Sequence, residues 1–294
     1  MFDINPVAVS NLFGIPGLDI RWYGILMASA IIAGAWLACV QARRRGYSPE
    51  LVFDFLILGI PLGIVGARLY YVAFNWTYYS QHPAEIIAVW NGGIAIYGAI
   101  IGGAIAAIIV CRWRKFPVGR LLDISAPGLV LGQAIGRWGN FVNQEAFGQI
   151  VTDPALQWFP YAVYIQYRDT GTSIVQDSWV QATFFYESVW DLGVCVLLLW
   201  YAKRARHDGN VFALYLAAYG LGRVWIEGIR VSTLQLWPGM PVSQFLSILL
   251  IAGGVGYILW QRRRNRPNPV YDGIYCIDRD NTKKTKRVST EEHD

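Results

Sequence analysis

The sequence predicts an all-α polytopic membrane protein with seven transmembrane helices and a small extracytoplasmic head that contains β-structure. Three observations favour this fold class. The chain of 294 residues is 54% apolar, with a mean hydropathy of +0.33, which is too apolar for an ordinary soluble domain. Seven stretches are long and apolar enough to cross about 30 Å of hydrocarbon as helices, and positive charge is concentrated in alternate loops between them.

The seven predicted spans form one transmembrane domain, residues 22–260. They cover residues 22–40, 51–74, 93–110, 121–141, 184–201, 211–228 and 242–260. Residues 1–21 are rich in proline and glycine, and we expect them to form an arm on the outer face of the membrane. Because the first cation is Arg21, no basic segment precedes an apolar core. We therefore expect no cleaved signal peptide, and the first span serves as the targeting signal.

The distribution of cations predicts the orientation of the chain. Three Lys or Arg residues follow the first span, four the third, three the fifth and nine the seventh, which together make 19 of the 25 cations. Loops rich in Lys and Arg remain in the cytoplasm. We therefore expect an outside N-terminus and a basic cytoplasmic tail, residues 261–294, whose polar composition favours disorder. The net charge of +5 is interpreted as this topology signal and as contact with anionic lipids, not as nucleic-acid binding.

The longest loop, residues 144–183, lies between the fourth and fifth spans and is the predicted extracytoplasmic head. Residues 161–167 are rich in strand-forming side chains, and residues 169–172, Asp-Thr-Gly-Thr, are typical of a turn. We therefore expect a small β element outside the membrane.

Cysteine and histidine usage predicts no disulfide, no metal and no cofactor. The four cysteines lie within spans, at span ends or in the tail, so they do not form a disulfide framework. The three histidines lie in loops or in the tail. Their positions argue against an intramembrane histidine base or zinc site.

Polar residues are costly near hydrocarbon, and a membrane protein that keeps them there usually uses them. Alternate spans run in opposite directions, yet eleven polar residues come out toward the outer side. They predict a shared polar cavity that opens toward the outer leaflet. These residues are Tyr23, Arg68, Tyr97, Arg137, Asn140, Asn143, Glu145, Glu187, Arg223, Glu227 and Arg230.

Two groups of polar residues lie on single helical faces. Arg137 and Asn140 are three residues apart in the fourth span and share a face. The sixth span carries a stripe with the spacing i, i+4, i+8 and i+11, formed by Tyr219, Arg223, Glu227 and Arg230. Guanidinium groups stay charged and match phosphate oxygens, so Arg137 and Arg223 could hold one phosphodiester between them. Asn140 and Asn143 would add neutral donors. The pattern indicates an anionic phospholipid as substrate.

Structural roles are the alternative for several of these residues. Tyr23, taken alone, is more typical of an interfacial aromatic belt. Arg68 lies about 25 Å along its span from the cytoplasmic end, and it either snorkels to the outer headgroups or joins the site. Glu227 forms either a structural salt bridge between helices or part of the site.

Residues 136–145, Gly-Arg-Trp-Gly-Asn-Phe-Val-Asn-Gln-Glu, resemble the signature of the prolipoprotein diacylglyceryl transferases, bacterial inner-membrane enzymes with seven spans and an outside N-terminus. The likeness continues at residues 22–24, 66–68, 123–127, 186–187 and 219–230. It implies that the diacylglyceryl group of phosphatidylglycerol is transferred to the lipobox cysteine thiol of a preprolipoprotein. A thioether forms and glycerol 1-phosphate is released. The implied partners are therefore phosphatidylglycerol and lipobox signal peptides, and the implied location is the bacterial cytoplasmic membrane.

The resemblance also implies roles for individual residues. Arg137 and Arg223 would hold the phosphate, whose negative charge grows as the carbon–oxygen bond breaks. The predicted catalytic residues are Tyr23, Tyr97, Arg137, Glu145 and Arg223. The predicted substrate-binding residues are Arg68, Arg137, Asn140, Asn143, Glu187, Tyr219, Glu227 and Arg230.

The group that accepts the thiol proton is left open. Some family members carry a histidine in the Gly-Gly motif of the third span, where this chain has Tyr97. Others carry His-Pro before the Tyr-Glu of the fifth span, where this chain has Gln181 and Ala182. The hypotheses are that Tyr97 takes the proton, that Glu145 takes it, or that nearby arginines lower the thiol pKa so that the reactive thiolate forms.

Three other function classes fit the sequence less well than transfer. An anion or lipid transporter with an arginine-lined cavity predicts polar residues that continue to the cytoplasmic side. The inner halves of the spans are nearly free of charge apart from Asp54 and Asp123, and no inverted repeat is evident. An intramembrane protease needs a Ser/His pair or a His-Glu-x-x-His motif, which the spans lack. A purely structural scaffold has no need of the paired arginines.

Overall fold

The computed structural model describes residues 6–11, 15, 19–165, 168–169, 174–175, 177–230, 235–237, 240–264 and 267–277. Helices dominate these residues. In chain order the α-helices are α1 (Trp22–Arg44), α2 (Glu50–Phe74), α3 (Trp76–Tyr79), α4 (Ile96–Trp113), α5 (Val118–Val142), α6 (Thr183–Ala202), α7 (Asn210–Ile229) and α8 (Val242–Arg264). The strands are β1 (Val7–Val9), β2 (Ile20–Arg21), β3 (Ala162–Ile165), β4 (Arg168–Asp169), β5 (Ile174–Val175), β6 (Ser178–Gln181), β7 (Gln235–Trp237) and β8 (Met240–Pro241).

Five helices, α1, α2, α4, α6 and α8, are long and apolar enough to cross a membrane. The chain is therefore mostly helical, with five candidate membrane spans and small sheets. The other two long helices, α5 and α7, coincide with the predicted fourth and sixth spans. They carry Arg137 in α5 and Arg223 and Glu227 in α7, and such charges lower the hydropathy of a helix. The count of seven spans stays a prediction.

Helix α4 begins at Ile96, three residues after the predicted start of the third span. Gly92 and Gly93 have φ angles of +84° and +72°. These left-handed conformations cannot belong to a right-handed helix, and glycine adopts them without the steric penalty of a Cβ atom. The two glycines therefore form the turn before the helix and not its first residues.

The described chain divides into two compact units. The first contains residues 1–37 and 125–267. Helix α1 approaches α5 closely at Gly34, where an added Cβ would lie 2.7 Å from the carbonyl oxygen of Gly128. Small residues at such crossings let two helix backbones come together. The core of this unit includes Leu37, Val130, Val194, Leu198, Val211 and Tyr215.

The second unit contains residues 38–124 and 268–294. Helices α2 and α4 pack backbone against backbone at Gly66, Gly98 and Gly102, where any added Cβ would collide with the main chain of the opposite helix. Packing of this kind stabilises helix pairs in membranes, where the hydrophobic effect between helices is absent. The core of this unit includes Leu51, Val52, Leu121, Ile124 and Tyr275.

The expectation that the tail is disordered from residue 261 onward is wrong for its first part. Helix α8 continues to Arg264, and Tyr275 is fully buried in the second unit. The Tyr275 hydroxyl donates to Oδ2 of Asp54 at 2.6 Å, and the Ser48 N–H donates to the Tyr275 carbonyl at 2.7 Å. The ring of Tyr271 also packs in this core. Two tyrosines give the segment enough apolar surface to fold onto the unit. Residues 278–294 lie outside the described part of the chain.

The β element predicted within residues 144–183 is confirmed. Strand β3 pairs antiparallel with β6, and this pair buries Ile165 and Val180 together with Phe147. The predicted turn at residues 169–172 lies mostly outside the described residues, and the extracytoplasmic location of the head stays a prediction. The sequence analysis did not anticipate the antiparallel pairs β1–β2 and β7–β8, because strands this short carry almost no periodic signal.

Candidate active site

Five charged side chains from three helices form one row of alternating sign, which we call the ion-pair row. Glu187 of α6 connects the arginines of its two neighbours. Its Oε2 lies 2.5 Å from Nε of Arg137 in α5, and its Oε1 lies 2.7 Å from Nη1 of Arg223 in α7. The row continues along α7, where Oε2 of Glu227 lies 2.7 Å from Nη2 of Arg223 and 3.5 Å from Nη1 of Arg230. The structure thus brings together five residues of the predicted site.

The α7 half of the row follows from residue spacing. Glu227 is four residues after Arg223 and three before Arg230, so it faces both on one side of the helix. Arg230 is the C-cap of α7 and has an extended conformation, with φ −78° and ψ 142°. The last arginine of the row therefore lies at the C-terminal end of α7.

Ser188 fixes α6 against α5 beside the row. Its hydroxyl donates to the Ala134 carbonyl at 2.9 Å and accepts from Nε1 of Trp138 at 3.2 Å. Ala134 and Trp138 flank Arg137 on α5, while Ser188 follows Glu187 on α6. These two hydrogen bonds place Glu187 opposite Arg137.

The carboxylates of the row are buried more deeply than its guanidinium groups. The side-chain exposure is 8% for Glu187 and 4% for Glu227, against 21% for Arg137, 17% for Arg223 and 16% for Arg230. Charged side chains as buried as these destabilise a protein unless each is paired with an opposite charge. Three guanidinium groups face two carboxylates, so the row carries one excess positive charge. An anion that approaches from the exposed side meets arginine first.

Asp191 is a further carboxylate at this site, and the sequence analysis did not include it. It lies one turn beyond Glu187 on α6, is 3% exposed, and its Oδ2 has no hydrogen-bond partner among the described residues. Its position could have been predicted from the sequence, because a carboxylate four residues after Glu187 lies on the same face of an apolar helix. A cavity of about 10 Å³, the size that one water molecule needs, is lined by residues that include Arg137, Glu187, Asp191, Tyr219 and Arg223.

Three other signature residues form a separate polar cluster at the end of α5. Nδ2 of Asn140 and Nδ2 of Asn143 both donate to Oε1 of Glu145, each at 3.2 Å. Tyr23 is 37% exposed, and its ring packs against Gly139. The signature therefore contributes one arginine to the ion-pair row and an amide–carboxylate cluster beside it in the chain.

Arg68 and Tyr97 belong to the second compact unit. Arg68 is 5% exposed, and its guanidinium donates four hydrogen bonds to main-chain carbonyls. The acceptors are Glu85 at 2.6 Å, Ile86 at 2.9 Å, Gly92 at 2.7 Å and Gly93 at 2.8 Å. Tyr97 is 37% exposed and lies 6.1 Å, ring to ring, from Tyr70. Arg68 thus fastens the connection between α2 and α4, and substrate binding by either residue stays a prediction.

An apolar groove runs between α6 and α7. Its volume is about 520 Å³, and it is lined by apolar and aromatic side chains that include Phe185, Val189, Leu197, Leu221 and Trp225. Trp190 lines both this groove and the small cavity at the ion-pair row. Its indole Nε1 donates to the Ala218 carbonyl at 3.0 Å, so one fixed ring separates the apolar groove from the charged groups.

The charges of the row determine what it can bind. Guanidinium groups are cationic donors that match the oxygens of phosphate and carboxylate groups. Among the residues that the structure describes, no three His, Cys, Asp or Glu side chains form a group that could hold a metal ion. The arrangement is suited to an oxyanion next to an apolar chain.

Comparison with known proteins places the chain in one family. Residues 10–260 match the family model described as prolipoprotein diacylglyceryl transferase. A phosphatidylglycerol–prolipoprotein diacylglyceryl transferase of Lactiplantibacillus plantarum is 40% identical over 91% of this chain and 93% of its own length. Proteins with the same name from Nostoc and Streptococcus pyogenes are 43% and 41% identical, over 86% and 89% of this chain and 89% and 96% of their own lengths. The chain therefore belongs to the prolipoprotein diacylglyceryl transferase family.

Proposed function

We propose that this chain transfers the diacylglyceryl group of phosphatidylglycerol to the lipobox cysteine thiol of preprolipoproteins. The observation that carries the proposal is the convergence of Arg137 and Arg223 on one anionic group, the Glu187 carboxylate, at 2.5 and 2.7 Å. Two helices thus aim guanidinium groups at a single anion position. The names of the relatives support transfer and not the transporter alternative.

The proposed reaction needs an anion site whose strength increases as the bond breaks. The cysteine sulfur attacks the carbon of the diacylglycerol moiety that bears the phosphate. A carbon–sulfur bond forms while the bond between that carbon and the phosphate oxygen breaks. The electron pair of that bond stays on the phosphate oxygen, and a singly charged diester becomes a phosphate monoester with one more charge to carry. Arg137 and Arg223 stabilise this growing charge. The thiol proton goes to the Glu145 carboxylate, to Tyr97 acting as its phenolate, or to water from a thiol whose pKa the arginines have lowered.

The other predicted site residues have supporting roles. Asn140, Asn143, Glu145 and Tyr23 shape the end of α5 where the headgroup and the thiol meet. Glu227 pairs with both Arg223 and Arg230 and so holds Arg223 in place from α7, while Tyr219 lines the small cavity beside the row. Arg68 orders the adjoining loop of its own unit. The apolar groove between α6 and α7 suits an acyl chain, since it continues from the ion-pair row past Trp190.

The proposed topology has seven spans in the bacterial cytoplasmic membrane, with α5 and α7 among them. Basic residues in the last turns of α1, α4 and α8 support a cytoplasmic location for these helix ends. The N-terminus and the head at residues 144–183 then lie outside, where phosphatidylglycerol of the outer leaflet and an exported lipobox peptide can meet.

The test is a transfer assay with purified protein, phosphatidylglycerol vesicles and a lipobox peptide, followed by mass measurement of the peptide. We expect the mass gain of a diacylglyceryl thioether with wild type and none with Arg137→Ala. Arg204→Ala is the matched control, since Arg204 stacks over Trp200 at the far end of α6. A peptide with serine in place of cysteine should stay unmodified. A wild-type protein that leaves the cysteine peptide unchanged would overturn the proposed activity.

A further inference from the structure

We propose that Glu187 is a displaceable internal anion, which occupies the position of the substrate phosphate in the resting enzyme and leaves it when phosphatidylglycerol binds. The inference rests on the proposed function. It assigns Glu187 a role different from substrate binding: the residue competes with the substrate for the two arginines.

The geometry places the carboxylate of Glu187 where a bridging phosphate would lie. Each of its two oxygens contacts a different guanidinium group, from Arg137 in one case and from Arg223 in the other. A phosphate that bridges the same two arginines would present two oxygens in the same way. A phosphate that lies between the two arginines therefore competes with the Glu187 carboxylate for Nε of Arg137 and Nη1 of Arg223.

Exposure and charge make the exchange of anions feasible. Arg137 and Arg223 keep 21% and 17% of their side-chain surface exposed, so an incoming phosphate reaches them before it meets the more buried Glu187. A phosphodiester carries the same single negative charge as the carboxylate it replaces. It also matches the one excess positive charge of the row, so the site holds no uncompensated charge while Glu187 moves aside.

Glu227 differs from Glu187 in the contacts that matter here. It pairs with Arg223 and Arg230 on its own helix and its side chain is 4% exposed, but in the described part of the chain no ion pair joins it to Arg137. Its carboxylate therefore holds Arg223 by an ion pair within the same helix and does not bridge Arg137 and Arg223. Removal of either negative charge raises the positive charge of the row equally, yet only removal at Glu187 vacates the bridging position.

The exchange has a consequence for the end of the reaction. The product, glycerol 1-phosphate, binds the arginines through the same phosphate and has no acyl chains to hold it. Return of the Glu187 carboxylate then completes the displacement of the product. Because the phosphate must displace Glu187, it binds more weakly than it would to an open site. Its apparent affinity is the affinity of the open site multiplied by the fraction of protein molecules in which the site is open.

The experiment compares the binding of glycerol 1-phosphate by Glu187→Gln and Glu227→Gln with that of the wild type, by titration calorimetry of the purified proteins in nanodiscs. Glutamine has nearly the shape of glutamate without its charge. If the site is open in about one tenth of wild-type molecules, we expect Glu187→Gln to bind about tenfold more tightly. The Glu227→Gln variant should show much less gain, and the KM for phosphatidylglycerol should fall with Glu187→Gln.

Equal tightening in both variants would overturn the inference, because it would reflect charge alone, and so would unchanged or weaker binding by Glu187→Gln. If Glu187→Gln does not fold, Glu187→Asp provides the second test. Its shorter side chain keeps the charge but cannot reach both arginines, so we expect it to tighten binding as well. The transfer assay with wild type is scored separately: failure there rejects the proposed function, whereas active wild type with no gain in Glu187→Gln rejects only the displaceable anion.

Discussion

The ring of Tyr23 lies directly against the backbone of Gly139. A Cβ atom at position 139 would stand 2.8 Å from Cδ2 and 3.0 Å from Cε2 of that ring, closer than side chains pack. Gly139 lies between Arg137 and Asn140 in the signature, and Tyr23 opens α1. The glycine of the signature therefore lets an aromatic ring from another helix lie beside the proposed site.

We expect Gly139→Ala to reduce kcat/KM for transfer by about 100-fold, the usual effect of displacing a site by about 1 Å. The added methyl group must push the Tyr23 ring away. Gly103→Ala is the control, because an added Cβ there meets nothing within 4 Å and alanine favours a helix. Steady-state rates of peptide lipidation measure both variants. Wild-type kinetics in Gly139→Ala would contradict a role for the position of Tyr23.

A second prediction concerns Arg137→Lys, which keeps the charge but loses the planar fork of donors. A lysine ammonium cannot present to Glu187, or to the phosphate that replaces it, the planar set of donors that a guanidinium offers. We expect kcat to fall by about 100-fold or more, as when a donor to a developing anion is removed. The same assay with Arg204→Lys should give the wild-type rate. The two-arginine site would be refuted by full activity in Arg137→Lys.

A third prediction concerns Arg68→Lys. The guanidinium donates to four main-chain carbonyls of residues 85–93, and a hydrogen bond from a charged donor is worth about 1.5–3 kcal/mol. Lysine has fewer donors in a different geometry, so we expect a lower Tm and faster proteolysis between residues 80 and 95. Arg112→Lys, at an exposed position in α4, should leave both unchanged. Equal protease sensitivity of the two variants would count against this role.

The tail segment allows a fourth prediction. Tyr275→Phe removes the hydroxyl that donates to Asp54 at 2.6 Å from a fully buried position. We expect a loss of about 1.5–3 kcal/mol in the free energy of unfolding, the range for a hydrogen bond to a charged group. Ile274→Ala, where the side chain is 64% exposed, should change it by less than about 0.5 kcal/mol. Unfolding in detergent measures both. Indistinguishable variants would show that this hydrogen bond does not stabilise the unit.

A fifth prediction concerns the pH dependence of that contact. Burial raises the pKa of the Tyr275 hydroxyl, and its hydrogen bond to Asp54 raises it further. In the unfolded chain the pKa of tyrosine is about 10. The stabilisation is therefore complete below about pH 10 and is lost as the pH rises toward the folded-state pKa. We expect the Tm of wild type to fall more steeply than that of Tyr275→Phe above about pH 10. Parallel curves would contradict the assignment.

Much of the fold was readable from local patterns. Apolar length predicted the long helices, and strand-forming residues predicted β3 in the head. The tail was misjudged because its charges are numerous, whereas its order depends on two tyrosines that find a core elsewhere in the chain. A polar segment folds when a few of its residues bury enough apolar surface, and composition alone does not reveal the surface that receives them.

The sequence by itself determined the membrane class, the family signature and the stripe of Arg223, Glu227 and Arg230, because helical periodicity decides which residues share a face. Only the tertiary structure decided that Glu187 stands between Arg137 and Arg223, and that Asp191 joins them. Partners on different helices depend on how each helix is rotated about its axis. That rotation is set by packing contacts such as Ser188 on Ala134, which periodicity within one helix does not contain.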